Sequence, residues 1–215
     1  VKTQIAIYGA GGFAREVAWL VEACNESAAG YQLVCFIDDN PNNHGVVLNG
    51  VPILALTDVV KRFPEASVVS GIGSPQVREK TTEKVVAAGL TFASIIHPRV
   101  ERSRRVDIGA GTVICAGSIL TTNIQLGRHV QINLDCTIGH DVIMADYATL
   151  APGVHVSGWV HLAKRAYVGT GAVIINGTSD APLTIGEDAV IGAAACVTRP
   201  VPAGATVVGV PAKAL

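Results

Sequence analysis

The sequence predicts an α/β N-terminal domain, a short Rossmann-like parallel sheet, followed by a left-handed parallel β-helix. Three observations carry that prediction. An apolar strand runs into a glycine-rich turn and then a helical pattern near the N-terminus. From residue 108 to residue 174, every sixth position is aliphatic or Met. The composition is 49% hydrophobic but only 5% aromatic, so the apolar mass lies in Val, Ile, Leu and Ala, which suits sheet interiors and thin repetitive cores.

In the first part, residues 4–8 (Gln-Ile-Ala-Ile-Tyr) read as a buried strand that ends at Gly9-Ala10-Gly11-Gly12. A helix follows, with Val17, Leu20 and Val21 on one side. Residues 33–37 form a second strand that closes on Asp38-Asp39. Residues 67–72 then read as a strand, 75–88 as a helix and 92–96 as another strand. Strands that alternate with helices imply a parallel sheet with crossover connections. Glycines in the first turn let backbone N–H groups approach a phosphate at a helix N-terminus. Gly9, Gly11 and Gly12 are therefore candidate ligand contacts, with Asp38 at the strand end as the group that meets a ribose or base. Ala14 stands where a dinucleotide fingerprint has its last glycine, and the domain is too short for six strands. A nucleotide-sugar suits this turn better than NAD; a tight turn with no ligand is the alternative.

The domain boundary is placed at 98/99: residues 1–98 as the nucleotide-sugar-binding domain, 99–215 as the β-helix with a C-terminal cap. Ile108, Ile114, Leu120, Leu126, Ile132 and Ile138 open the six-residue series, which runs without exception to Ile174. Two positions before each stands a small or β-branched residue, such as Thr112, Ser118 or Cys136. After an interruption at 176–184 the phase resumes at Ile185, Ile191 and Val197. A period of six fits neither a helix nor simple alternation. It fits one short strand per side of a triangular solenoid, with turns stacked about 4.8 Å apart. The aliphatic position is expected to fill the interior and the small one to turn the chain near a corner.

Sixteen Lys+Arg against 17 Asp+Glu leave a formal charge of −1, which argues against a nucleic-acid groove or a polybasic membrane anchor. No apolar stretch approaches the ~20 residues of a membrane span, and no signal-peptide pattern opens the chain. The five cysteines are widely spaced, with no CxxC or Cys/His ligand pattern. Buried reduced thiols in a cytoplasmic protein, with no metal site, are the expectation.

The hexads and the ending Gly209-Val210-Pro211-Ala212-Lys213 resemble the hexapeptide acyltransferases. Together with the Gly-Ala-Gly-Gly-Phe-Ala turn, they resemble the bacterial nucleotide-amino-sugar N-acetyltransferases and their sialic acid O-acetylating relatives. That resemblance implies acetyl-CoA as co-substrate, a nucleotide-linked amino sugar as acceptor, and a homotrimer with sites between subunits. Acetyl transfer needs a base, and histidine is suited to it near neutrality. Among six histidines, His140 is followed by Asp141, as the family's catalytic histidine is followed by an acidic residue. His140-Asp141-Val142-Ile143-Met144-Ala145 matches that motif with Met-Ala in place of Ile-Gly. The segment at Leu134-Asp135 has the same shape one hexad earlier, but Leu134 takes no proton. Leu150-Ala151-Pro152-Gly153 through Ser157-Gly158 selects the His140 register. Gly158 lies one full turn above His140, where the family uses a backbone N–H toward the thioester carbonyl. The resemblance also assigns Ala193 to a second CoA contact and Asn133 to the sugar. Lys213, Lys164 and Arg165 are candidates for the CoA phosphates. His155 and His161 share a hexad phase and read as solvated; His97 reads as structural, and His44 and His129 show no pattern.

N-acetylation of a nucleotide-linked amino sugar in bacterial glycan synthesis is the leading functional reading. O-acetylation of a sugar hydroxyl and a non-catalytic β-helix scaffold are the alternatives.

Overall fold

The structure, a computed structural model, describes residues 2–28 and 30–215, and the chain divides into two compact units, residues 1–98 and 99–215.

In the first unit, β1 (Thr3–Tyr8) buries its Ile-Ala-Ile-Tyr end completely, and α1 (Gly12–Glu26) lays Val17, Leu20, Val21 and Cys24 inward at helical spacing. β2 (Tyr31–Ile37) follows. Then come β3 (Val47–Leu48), β4 (Val51–Leu54), α2 (Leu56–Arg62), β5 (Ser67–Ser70), α3 (Pro75–Ala87) and β6 (Thr91–Phe92). The sheet order is β3-β4-β2-β1-β5-β6, parallel except for β3. The β3–β4 pair is a hairpin that sequence reading does not supply. Asn49 (φ 46°) and Gly50 (φ 80°) turn it, the Asn-Gly pair favoured in two-residue hairpin loops.

Two boundaries differ from expectation. The strand expected at 67–72 stops at Ser70. There Gly71 passes so close beneath α1 that a Cβ on it would lie 2.6 Å from the Ala14 Cα. This contact also accounts for Ala14. The close helix–strand approach that a third fingerprint glycine normally permits is here permitted by Gly71 on the opposite side. The buried Arg78 then ties down the following loop, donating from Nη1 to the carbonyls of Ile72 (2.9 Å) and Gly73 (3.2 Å). The strand expected at 92–96 is two short pieces. After Ala93 N–H bonds to the Val68 carbonyl, the chain leaves the sheet to bury Ile95 against α1.

The second unit is a three-sided parallel coil. Its first face stacks Val113–Ile114, Gln131–Ile132, Thr149–Leu150, Tyr167–Val168, Val190–Ile191 and Thr206–Val208, with Lys213–Ala214 antiparallel at its end. The second runs from Glu101–Arg102 through Ile119–Leu120, Thr137–Ile138, His155–Val156 and Val173–Ile174 to Cys196–Val197. The third stacks Val106–Ile108, Ile124–Leu126, Ile143–Met144, Val160–Leu162 and Leu183–Ile185.

The aliphatic sixth residues fill the interior, but the small residues do not turn the chain. Thr112, Ser118, Cys136 and Ala148 are also fully buried. The turn is made one residue earlier, by Gly111, Gly117, Asn123, His129, Asp135, Asp141, Tyr147, Gly153, Trp159, Arg165 and Gly171, all at φ between 55° and 76°. A left-handed conformation costs a non-glycine residue about 1–2 kcal/mol. Contacts between corner residues one turn apart offset part of that cost. His129 and Tyr147 stack at 5.1 Å and 5°, and Arg165 grips Asp188 and Glu187. Arg165 is thereby held against these two carboxylates. Inside the coil, Ser118 Oγ donates to the Asn133 carbonyl (2.8 Å) and accepts from Cys136 N–H (3.3 Å). Burial pushes the Cys136 thiol up to about 11, so it is inert at neutral pH.

Candidate active site

The edge between the second and third faces carries the candidate chemistry. Arg105, Asn123, Asp141 and Trp159 stand above one another there, one turn apart, with His140 and Gly158 each just before its corner residue. His140 is half-exposed. Its Nδ1 lies 2.8 Å from Asp141 Oδ2. An ionised carboxylate only accepts hydrogen bonds, so the proton in this contact belongs to Nδ1 and the lone pair is left on Nε2. The Trp159 ring meets the imidazole edge-on at 6.1 Å and 83°. Asp141 holds the left-handed conformation (φ 57°), and its N–H bonds to the Thr122 carbonyl at 3.2 Å.

Gly158 gives the imidazole its room. A Cβ there would lie 2.5 Å from both Nε2 and Cε1 of His140, inside van der Waals contact. Gly139 matters in the same way from below, since a Cβ on it would lie 2.7 Å from the Gly158 nitrogen. Among the described residues, Gly158 N–H donates to no backbone carbonyl, whereas its neighbours Ser157 and Trp159 donate to Ile174 and His140. An imidazole nitrogen able to take a proton and an uncommitted N–H therefore meet on one edge, an arrangement compatible with acyl transfer. On the third face beside this edge opens a cavity of about 360 Å³, lined by Arg105, Asp107, Gln125, Asp141, Trp159 and His161 among others.

The other sequence-derived candidates lie elsewhere. Asn133 is on the edge between the first and second faces, where its Oδ1 accepts from the N–H of Leu134 at 2.9 Å. Ala193 is on that same edge, higher up. Lys213 is exposed on the terminal antiparallel strand. The structure brings His140, Asp141 and Gly158 together and holds Asn133 and Ala193 one face away.

In the first unit, Gly9 (φ 109°) turns the chain out of β1, and Gly11 forms the N-cap of α1. No side chain caps that helix, no acidic residue stands in its first turn, and nothing lies within 4 Å of where a Gly11 Cβ would be. Its N–H groups are open to an anion. Asp38 is engaged locally: Oδ1 accepts from Asn40 N–H (2.8 Å) and Oδ2 from the Asn43 amide (2.9 Å). It also lines a cavity of about 560 Å³ with Asp39, His44 and Lys84. Asp39, the next residue, is held by two side chains. The Lys84 ammonium and the Tyr8 hydroxyl bond to its carboxylate and hold it below the usual range, while burial and Asp39 push the Tyr8 phenol up.

Three residues at the site escape sequence reading. Asn123 and Trp159 sit eighteen positions on either side of Asp141, a spacing that could have found them. His161, read as solvated, lines the cavity beside Asp141, whereas His155 is exposed on the second face with its Nδ1 2.8 Å from Thr137 Oγ1. His129 is buried against Tyr147, and His97 lies 5.5 Å from the Trp19 ring. Among the described residues no group of three or more His, Cys, Asp or Glu is arranged to hold a metal ion, and no helix is long and apolar enough to cross a membrane.

Comparison with known proteins bears on this geometry. Residues 4–85 match the PglD N-terminal domain family. Over 210 residues the chain is 34% identical to GDP-perosamine N-acetyltransferase from Escherichia coli O157:H7, covering 96% of this chain and 94% of that protein. WeeI from Acinetobacter baumannii AYE superposes with a TM-score of 0.91 at 37% identity, covering 99% of this chain and all of the other. Perosamine N-acetyltransferase from Caulobacter crescentus, solved with CoA and GDP-perosamine as a variant with asparagine replacing one histidine, gives a TM-score of 0.88. It is 28% identical and covers 99% of this chain and 96% of its own.

Proposed function

The chain belongs to the nucleotide-amino-sugar acetyltransferase family, and from that premise we propose that it acetylates the amine of a nucleotide-linked amino sugar with acetyl-CoA, using His140 as the base. The observation that carries the assignment of roles is the placement of the His140 imidazole against Gly158, with Asp141 behind it. In the reaction the amine nitrogen attacks the thioester carbonyl carbon while Nε2 of His140 takes its proton. Asp141 offsets the charge of the imidazolium. The oxyanion that develops on the carbonyl accepts from Gly158 N–H, a contact worth about 10²–10³-fold in comparable sites. The C–S bond then breaks, the CoA sulfur receives the proton from His140, and the amide remains. Release of CoA thiol should follow addition of acetyl-CoA and a nucleotide-amino sugar, measured across a small panel of such sugars. No release with any amine acceptor, but release with a hydroxyl acceptor, would overturn N-acetylation.

The nucleotide is assigned to the first unit. The open N-terminus of α1 at Gly9, Gly11 and Gly12 suits a diphosphate, and Asp38 suits the ribose or base. Replacing Asp38 by Ala should raise the KM for the sugar nucleotide and leave that for acetyl-CoA unchanged, as read from steady-state kinetics. A fall in acetyl-CoA affinity alone would mean that the ligand is misassigned.

A homotrimer is part of the same proposal. Asn133 and Ala193 lie a full face away from His140, so both groups can serve one transfer only if neighbouring copies supply them. Closed cyclic symmetry would bring unlike edges together. Light scattering at micromolar concentration should give three times the chain mass; a monomer would refute this arrangement. A cytoplasmic location is proposed as well, supported by five free cysteines, four of them buried. Lys213 is retained as a candidate for the CoA phosphates on charge and exposure.

A further inference from the structure

We propose that Asn123 is a positioning residue for acetyl transfer, one that aims the Asp141 carboxylate at the base; this rests on the reading of His140 given above. Asn123 stands one turn below Asp141 on the same edge, and its Nδ2 donates to Asp141 Oδ1 at 3.3 Å. The other carboxylate oxygen, Oδ2, is the one 2.8 Å from His140 Nδ1. The carboxylate is thus held at both oxygens, from below and from the side. The torsion that turns a carboxylate about its last carbon–carbon bond is broad and two-fold. Held by the imidazole alone, the Asp141 group would swing with its half-exposed partner. The amide below fixes its plane and so fixes which way the imidazole faces. Asn123 is itself oriented, since Thr122 Oγ donates to its Oδ1 at 3.4 Å and the Thr122 carbonyl takes the Asp141 N–H at 3.2 Å.

The fold does not require an amide here. Gly111, Gly117, Gly153 and Gly171 fill equivalent corner positions of the coil. A corner at Asn123 (φ 55°) needs only a residue that tolerates the left-handed conformation, and glycine does so without strain. Chemistry favours a neutral donor at this point. Elsewhere on the coil a corner carboxylate is held by a cation, as Asp188 is by Arg165. A cation in place of Asn123 would neutralise the charge that Asp141 must present to an imidazolium, whereas an amide orients the carboxylate and leaves that charge intact.

Two substitutions separate orientation from packing. Asn123→Gly keeps the backbone conformation and removes the donor; Asn123→Asp keeps the size and replaces the donor with an acceptor. Each should lower kcat by roughly tenfold, the scale of one hydrogen bond to a charged group, with both KM values within about twofold of the parent. In a chain that already carries Asp141→Gly, adding Asn123→Gly should cause no further loss, because the residue acts through Asp141. Equal losses in both backgrounds, an unchanged kcat in the single variants, or a loss seen only in KM would overturn the proposal. His140→Ala distinguishes this failure from a failure of the underlying reading. If His140→Ala is inactive and Asn123→Gly is normal, only the role of Asn123 falls. If His140→Ala is itself normal, the base assignment falls with it.

Discussion

Replacing His140 by alanine should lower kcat by about 10²–10⁴-fold, the contribution of a positioned general base, and should change neither KM by a comparable factor. The imidazole is half-exposed and bonds to a neighbouring side chain rather than to the coil's interior, so its removal should leave the fold intact. The loss should shrink as pH rises, because an amine that arrives deprotonated asks less of the base. His155→Ala provides the control: this side chain sits on the second face, paired with Thr137 and away from the His140 edge, and its loss should be nearly silent. Initial rates of CoA thiol release between pH 6 and 9, on about half-unit steps, would measure both. A normal kcat for His140→Ala at every pH, with an inactive His155→Ala, would move the site to another face.

The second large effect is expected at Gly158. The methyl group of Gly158→Ala would lie 2.5 Å from two ring atoms of His140, so one of them must move. The backbone at 158 belongs to the coil ladder on both sides, through Ser157 and Trp159, and the half-exposed imidazole is the softer partner. The ring should therefore swing out while the coil keeps its pairing. Displacement of a reacting group by about 1 Å costs on the order of 10²-fold in rate, so kcat should fall by at least that much. The melting temperature, followed by calorimetry, should change by only a few degrees, the size expected for about 1 kcal/mol in a domain of this class. A variant with normal kcat would show that the contact between Gly158 and the imidazole is irrelevant to the chemistry. A variant that fails to fold would show that the backbone, not the ring, had yielded.

The coil was legible because each hexad repeats one physical demand, an aliphatic side chain directed into a narrow prism, and twelve consecutive repeats from Ile108 to Ile174 leave no other period. Its corners were not. Glycine is the residue from which a left-handed turn is usually read, whereas here His129, Tyr147, Trp159 and Arg165 adopt it, supported by contacts to residues one turn away. Such contacts are invisible along the chain unless positions eighteen apart are compared. The same reasoning divides the candidate site. The contact of His140 with Asp141 joins sequence neighbours and could be anticipated, while the donor behind Asp141 belongs to the previous turn. In the first unit, Asp38 stands out along the chain by its place at a strand end, yet Asp39 is the residue that joins Tyr8 and Lys84, a contact that depends on α3 lying over the sheet. The broken strand at 92–96 reflects burial of Ile95 against α1, a tertiary demand that outweighs the local preference of an aliphatic run.

The interruption leaves the coil at the His140 edge and ends at 182 rather than at the 184 expected from the sequence, because Leu183 and Thr184 already pair with Val160 and His161. Corner residues that elsewhere lie 18 positions apart are here 23 apart, as with Arg165 and Asp188, yet Val160, His161 and Leu162 still pair in phase with Leu183, Thr184 and Ile185. The detour is tied down at its feet, Gly177 N–H to the Gly158 carbonyl and Leu183 N–H to that of Trp159, and bends on itself through Thr178 and Ala181. Because each rung pairs only with the rungs above and below, a detour can lengthen, shorten or change composition without shifting the register of anything beyond it. For an architecture of this kind, innovation is cheap where the chain steps out and costly everywhere else. The step-out here is anchored on Gly158 and Trp159, so residues can be added or exchanged within it while His140, Asp141 and the ladder beneath them keep their register.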